Sequence, residues 1–305
     1  MSKSKGNVIT PIDMLAQYGS DAVRYWAASA RLGVDTAFDD KVFKIGKRLV
    51  TKLFNASKFV LSQSAAVGPV SREVDRAFVA ELSERVARAT ADLERYEFGK
   101  ALQETESFFW TRFTDTTIEL LKGRARDESD PEGAASAVAA LRLGLSVLLR
   151  LFAPVLPYIT EEVWSWAYAE ETGEPSVHAA GWPGESDFTG IEAPEDAGSL
   201  DIAIECWRAV MKAKADAEVG MGREIERLGI EVSDSELAHY TRLSPPLDIQ
   251  ALEIFQTDGQ FDPAKYSQFI TNPVAISDPM GRNIVRYVEQ TLRQQLEINR
   301  LQSLV

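Results

Sequence analysis

The sequence predicts a mainly α protein, an antiparallel helical bundle followed by a small α/β appendage. Three observations carry that expectation. Apolar residues recur at steps of three and four along several segments between residues 40 and 168, the spacing that lines one face of a helix. Glycine and proline punctuate those segments, at Gly33, Asp127 to Gly133, and Pro154 to Pro157. Beyond residue 220 the pattern shortens. Gly229 to Val232 and Leu252 to Phe255 read as strands, separated by Ser244-Pro245-Pro246 and followed by Thr257-Asp258-Gly259.

The chain opens with Met1-Ser2-Lys3-Ser4-Lys5-Gly6-Asn7. Alternating lysines and serines offer ammonium and hydroxyl donors to an anion, and Gly6 allows a sharp turn behind them. A solvated, frayed terminus is the alternative. Thr10-Pro11-Ile12-Asp13 then reads as a helix start, with Thr10 as cap and Pro11 in the first helical position. That helix stops at Gly19. Ser20 and Asp21 begin another, with Val23, Trp26, Ala27 and Ala30 on one stripe and an end at Gly33. A helical pair directly after the loop anchors it.

Residues 41 to 58 hold Lys41, Lys44, Lys47, Arg48, Lys52 and Lys58 and no acid. Lys41, Lys44, Arg48, Lys52 and Asn55 share one helical face, opposite Val42, Ile45, Leu49, Leu53 and Ala56. Like charges so spaced repel by about a few tenths of a kcal/mol per pair. In a chain of net charge −13, a one-sided basic stripe points to a polyanion, or else to a solvated face satisfied by acids elsewhere in the fold.

Further helices follow. Val79, Leu82, Val86, Ala89, Leu93 and Tyr96 form one stripe, and Val138, Leu141, Leu145, Leu148 and Phe152 another. Phe108, Phe109, Phe113 and Leu120 are expected in the core, because aromatics at helical spacing are more often anchors than stacking platforms. Asp127 to Gly133 reads as a loop. Pro154 and Pro157 end the long helix, and Thr160 is expected to cap the next. Pro175 to Asp201 is expected to be a linker, Ile202 to Val219 a helix, and the chain from Arg282 a last helix with Val285, Val288, Leu292 and Leu296 on one side.

Composition sets limits. The 305 residues are 45% hydrophobic and 26% charged, the mixture of a soluble globular protein of about two domains. The single cysteine, Cys206, precludes an internal disulfide framework and is expected to be a small core residue. No secretory apolar core occupies the first thirty residues, and the most apolar stretch, Leu141 to Ile159, is interrupted by Arg142, Arg150 and two prolines. No metal-ligand spacing is present. The two histidines, His178 and His239, stand far apart, and Gly220-Met221-Gly222-Arg223-Glu224-Ile225 lacks the third glycine of a dinucleotide fingerprint.

The opening loop, with Tyr18-Gly19-Ser20-Asp21-Ala22-Val23-Arg24 after it, resembles the Lys-Met-Ser-Lys-Ser loop of class I aminoacyl-tRNA synthetases and the helices that follow. Lys52-Leu53-Phe54-Asn55-Ala56-Ser57-Lys58-Phe59-Val60-Leu61 and Pro154-Val155-Leu156-Pro157-Tyr158-Ile159-Thr160-Glu161-Glu162-Val163-Trp164 resemble two elements of the valyl-tRNA synthetase anticodon domain. Phe54 stands where that family usually has tryptophan, and Lys58 where it has arginine. The resemblance covers about residues 1 to 190. It implies a catalytic remnant over 1–35, an anticodon-binding bundle over 36–190, and a linker with a small α/β or helical appendage over 191–305.

The same resemblance implies that Ser2, Lys3 and Ser4 close over ATP, with Lys3 as the catalytic residue stabilising the pyrophosphate leaving group. ATP, with Mg2+, would be used only by the complete enzyme, and no cofactor or metal is expected for this chain alone. The family's first loop lysine would precede Met1. A catalytic half, in the same or a neighbouring reading frame, is therefore an expected partner, and the isolated chain is expected to be inactive. The other expected partner is a valine-accepting tRNA, held by Lys44, Arg48, Lys52, Asn55 and Lys58. The setting implied is a cytoplasmic monomer that does not bind membranes. The competing reading is a stand-alone RNA-binding or scaffold protein derived from a synthetase.

Overall fold

The computed structural model describes residues 11–35, 38–216, 218 and 220, together with the backbone of four strands from residue 225 on. Helices dominate: α1 (Pro11–Tyr18), α2 (Ser20–Ala28), α3 (Asp40–Leu61), α4 (Glu73–Glu94), α5 (Phe98–Phe108), α6 (Ile118–Leu121), α7 (Pro131–Phe152), α8 (Pro157–Trp166), α9 (Tyr168–Thr172) and α10 (Ser199–Asp216). Between α5 and α6 the helix widens into a π turn, Phe109–Thr117. Threonine hydroxyls bind backbone carbonyls along it. Thr111 donates to Ser107 O (2.8 Å), Thr114 to Trp110 O (3.0 Å), and Thr116 to both Thr111 O (3.0 Å) and Arg112 O (2.7 Å). Such back-bonding competes with the regular helix ladder.

The chain forms two compact units. The first takes the residues up to Pro69, Val79–Thr117 and Val138–Ile191. Its core holds Phe43, Leu49, Leu53, Leu82, Phe108, Phe109, Phe113, Leu145, Leu148, Phe152 and Trp164, all nearly inaccessible. α2 packs on α3, α5 and α8, and α3 also packs on α1 and α8. Gly46 lies at the α2–α3 crossing, where an added Cβ would come within 2.9 Å of the Tyr25 side chain.

In this unit the two motif segments at residues 18–24 and 154–164 meet. The Asp21 carboxylate, 7% exposed, accepts from the backbone N–H groups of Tyr158 (3.1 Å) and Ile159 (2.8 Å). Arg24 donates to Pro154 O (2.7 Å) and Val155 O (3.2 Å). The start of α8 is therefore capped from α2 and not by Thr160. Thr160 is the fourth residue of α8, and its hydroxyl donates back to Leu156 O (2.8 Å). An acid at a helix N-terminus satisfies open N–H groups and meets the positive end of the helix dipole.

Other expectations are also corrected. α2 buries Asp21, Ala22 and Tyr25 and ends at Ala28, so the stripe of Val23, Trp26, Ala27 and Ala30 is only partly covered. Ile45 is 43% exposed, because α3 turns Phe43 and Gly46 inward on either side of it. Tyr96 lies beyond the end of α4 at φ 62° and is 69% exposed. α7 begins at Pro131, inside the expected loop. The segment read as a linker is pinned in its first part. Trp182 Nε1 donates to Thr90 (2.8 Å), and Arg150 forks onto Asp187 (2.5 and 3.2 Å).

The second unit combines Val70–Phe78, Ile118–Ala137 and the chain from Glu192 on. At its centre Asp75, fully buried, accepts two bonds from Arg124 (2.8 and 2.5 Å) and one from the Ser136 hydroxyl (2.6 Å). The Ser136 oxygen in turn accepts from the backbone of Ser71 and Arg72. Glu73 accepts from the backbone N–H groups of Glu195 (3.1 Å) and Asp196 (2.8 Å) and from Ser199 Oγ (3.1 Å), which fixes the entry to α10. Cys206 is buried on α10, and burial pushes its thiol pKa up to about 12, in keeping with an inert core residue.

The strands are β1 (Ile225–Val232), β2 (Ile249–Gln256), β3 (Ile276–Ser277) and β4 (Asn283–Ile284). β1 and β2 pair in parallel from Ile225↔Ile249 to Val232↔Gln256, and β3 and β4 pair antiparallel. The two segments read as strands fall within β1 and β2. At Asn283–Ile284 the expected last helix is replaced by strand, and Val285, Val288, Leu292 and Leu296 lie outside the described residues. By length and composition α7 could cross a membrane, but 72% of its most apolar window is buried within the protein.

Candidate nucleic-acid interface

α3 carries the basic stripe. Asp39 caps it, accepting from the Lys41 backbone N–H (2.9 Å), and Phe43, Gly46, Leu49, Leu53, Ala56, Ser57 and Val60 form the buried face. That orientation sends Lys41, Lys44, Lys47, Arg48, Asn55 and Lys58 to solvent, with Lys52 half-buried. Part of this face borders an open groove of about 620 Å³, lined by Lys44, Lys47, Arg48, Thr51, Lys52, Asn55 and Trp110. No acid lines it.

The cations differ in how they are engaged. Lys44 pairs with Asp40 at 2.5 Å. Bonds from Lys44 and then from the Tyr18 hydroxyl hold the Asp40 carboxyl below its usual range, and Asp40 raises the Lys44 ammonium. Lys52 Nζ lies 3.1 Å from Asp115 and 5.1 Å from the centroid of the Trp110 ring. Lys47 donates to Gln17 O at 3.2 Å. Among the described residues Lys41 and Arg48 make no ion pair. Both reported pairs are solvent-exposed and contribute at most about 1 kcal/mol, so little holds these ammonium groups back from a phosphate.

Trp110 is itself placed from behind. Its Nε1 donates to Glu106 (3.3 Å), whose other oxygen accepts from the Tyr25 hydroxyl at 2.6 Å. Burial and that bond push the tyrosine pKa far above its ordinary value. Beyond the groove Lys58 lies 5.6 Å over the Phe54 ring, and Phe54 meets Trp166 edge-on at 5.3 Å. Both rings are more than a third exposed.

Of the expected contact residues, Lys44, Arg48, Lys52 and Asn55 come together in the groove, while Lys58 lies apart over Phe54. Ser2, Lys3 and Ser4 lie outside the described residues. Sequence reasoning missed Trp110. Its neighbours Phe108, Phe109 and Phe113 are core residues as expected, and nothing in the local pattern sets Trp110 apart from them. His178 is an exposed loop residue whose ring lies 3.2 Å from Pro157 O. No group of three or more potential metal ligands occurs among the described residues.

A helical bundle presenting one basic groove in an otherwise acidic chain is the form of an RNA-binding module, and comparison with known proteins agrees. Residues 75–229 match the family described as the anticodon-binding domain of tRNA ligase, and residues 1–39 match the class I tRNA synthetases of the I, L, M and V group. This chain belongs to the anticodon-binding domain family of tRNA ligases. Valine–tRNA ligases are among its curated relatives. That of Thermobifida fusca is 48% identical over 247 residues, covering 79% of this chain and 27% of the relative. Those of Salinispora arenicola and Leifsonia xyli are 42% and 43% identical, covering 80% and 78% of this chain and 30% and 28% of the relatives. The chain thus spans less than a third of the length of these relatives. Trp110 and Trp166 fall within the matched anticodon-binding domain, whereas α3 lies between the two matched segments.

Proposed function

We propose that this chain is the tRNA-binding portion of a valine–tRNA ligase, and that the groove beside α3 receives the anticodon loop. The observation that carries the reading is the row Lys44, Lys47, Arg48, Lys52 and Asn55 along one groove that no described acid lines. Lysine and arginine would meet phosphates, and the Asn55 amide would meet a base edge. Lys58, beyond the groove over Phe54, would hold a flanking phosphate. In the complete enzyme Ser2, Lys3 and Ser4 would close over Mg2+-bound ATP, and Lys3 would meet charge developing on the pyrophosphate. Residues 1–35, 36–190 and 191–305 would then be catalytic remnant, anticodon bundle and appendage, in a cytoplasmic, monomeric enzyme. A catalytic half, in the same or a neighbouring reading frame, would carry the rest of the active site. By itself the chain would catalyse no valine-dependent pyrophosphate exchange.

Binding of valine and non-cognate tRNAs at two salt concentrations tests the groove. Arg48→Ala and Lys52→Ala are expected to weaken every tRNA about equally, each lowering the slope of log affinity against log salt by about 0.7 to 0.9. Asn55→Ala is expected to cost about 1 to 3 kcal/mol, mainly on the valine tRNA. Unchanged affinity in all three variants would overturn the assignment.

A further inference from the structure

The groove's polar lining explains attraction for an anion, but its one aromatic wall has no part in that account. We infer that Trp110 is a stacking platform for one unpaired base of the bound RNA, and that Lys52 leaves Asp115 and the indole face as the base arrives. The inference rests on the proposed tRNA-binding function and deepens it.

Four features support it. Among the described residues Trp110 is the only aromatic one lining the groove, and the other lining side chains are cationic or polar. A flat π face beside a row of cations suits a nucleotide, which brings a ring and a phosphate together. An acidic peptide would use the cations and leave the ring idle. Second, the indole is held in place by a bond to Glu106, itself held by Tyr25, so stacking on it need not first order a mobile side chain. Third, Trp110 and Asp115 both lie in the π turn, Phe109–Thr117. Such irregular turns recur at functional sites. Fourth, the group over the ring is itself one that would bind phosphate. Lys52 is 5.1 Å from the ring centroid and 3.1 Å from Asp115, whose side chain is 57% exposed. An ion pair this exposed opens at little cost. Moving Lys52 from Asp115 to the phosphate exchanges one partner for another and uncovers the indole.

The test uses the full chain, a valine-tRNA anticodon stem-loop, and a fully paired duplex of the same length and charge. Trp110→Ala is expected to weaken the stem-loop by about 5- to 150-fold, the equivalent of losing one stacked base, and the duplex by less than about twofold. Trp110→Phe keeps a π face and is expected to stay within about threefold of wild type. Asp115→Asn, which removes the competitor for Lys52, is expected to tighten the stem-loop by about 1.4- to 5-fold. Stem-loop binding should quench a component of tryptophan fluorescence that is missing in Trp110→Phe. Equal losses on stem-loop and duplex for Trp110→Ala, with wild-type quenching retained in Trp110→Phe, would overturn the platform. So would polyglutamate competing as well as the stem-loop. If the wild-type chain binds neither RNA at low salt, the function proposed above fails first. If it binds both and Trp110 is neutral, only this inference fails.

Discussion

Removing the Asp75 carboxylate should be among the most destabilising single changes in the second unit. Asp75 is fully buried and accepts three bonds, two from Arg124 and one from Ser136. Bonds to a charged group contribute about 1.5 to 3 kcal/mol each. The decisive cost, however, is the partner left behind. Arg124 is only 13% exposed, and breaking a buried pair from one side costs about 3 to 5 kcal/mol. Because Arg124 keeps a thin path to water, Asp75→Ala is expected near the lower end, about 3 kcal/mol. With a urea slope of about 1 to 3 kcal/mol/M, the unfolding midpoint followed by circular dichroism should fall by at least about 1 M. Asp75→Leu combined with Arg124→Met removes both charges and should recover most of the loss. A remainder of about 1 kcal/mol is expected from the Ser136 hydroxyl losing its acceptor. A cost below about 1 kcal/mol for Asp75→Ala, or a double variant no better than the single, would refute the reasoning.

Two further outcomes follow from the packing. Burial raises the pKa of Glu73, but bonds from the backbone of Asp196 and Glu195, from Ser199 and from Arg76 outweigh it and hold the carboxyl below its ordinary 4.5. A carboxyl depressed on folding stabilises fully above its unfolded pKa and loses that stability as pH falls through the folded value. Unfolding midpoints of wild type and Glu73→Gln, measured from pH 7 to pH 3, should therefore differ at pH 7 and converge below about pH 4.5. Gly46→Ala adds a methyl that would come within 2.9 Å of Tyr25, which is 7% exposed. Overpacking of about 1 to 3 kcal/mol should exceed the gain of about 1 kcal/mol in helix propensity. Because Tyr25 holds Glu106 and through it Trp110, this buried change should also weaken RNA binding in the titrations above. A more stable variant with unaltered affinity would contradict it.

Most helices were legible in the sequence because their signals are local. Alternation at three and four residues placed α3, α4 and α7, and Pro11 and Gly19 marked the two ends of α1, where their residue types act on the adjacent backbone. The basic stripe was legible for the same reason: five polar residues on one helical face need no knowledge of the rest of the chain. Tertiary structure alone decided which members of that stripe share a groove, that Ile45 and Tyr96 stay in solvent, and that the cap of α8 comes from Asp21 across 138 residues. It also set Lys52 between the Trp110 ring and the Asp115 carboxylate. These features depend on side chains far apart in sequence competing for the same space and the same hydrogen bonds, and such competition leaves no periodicity to read.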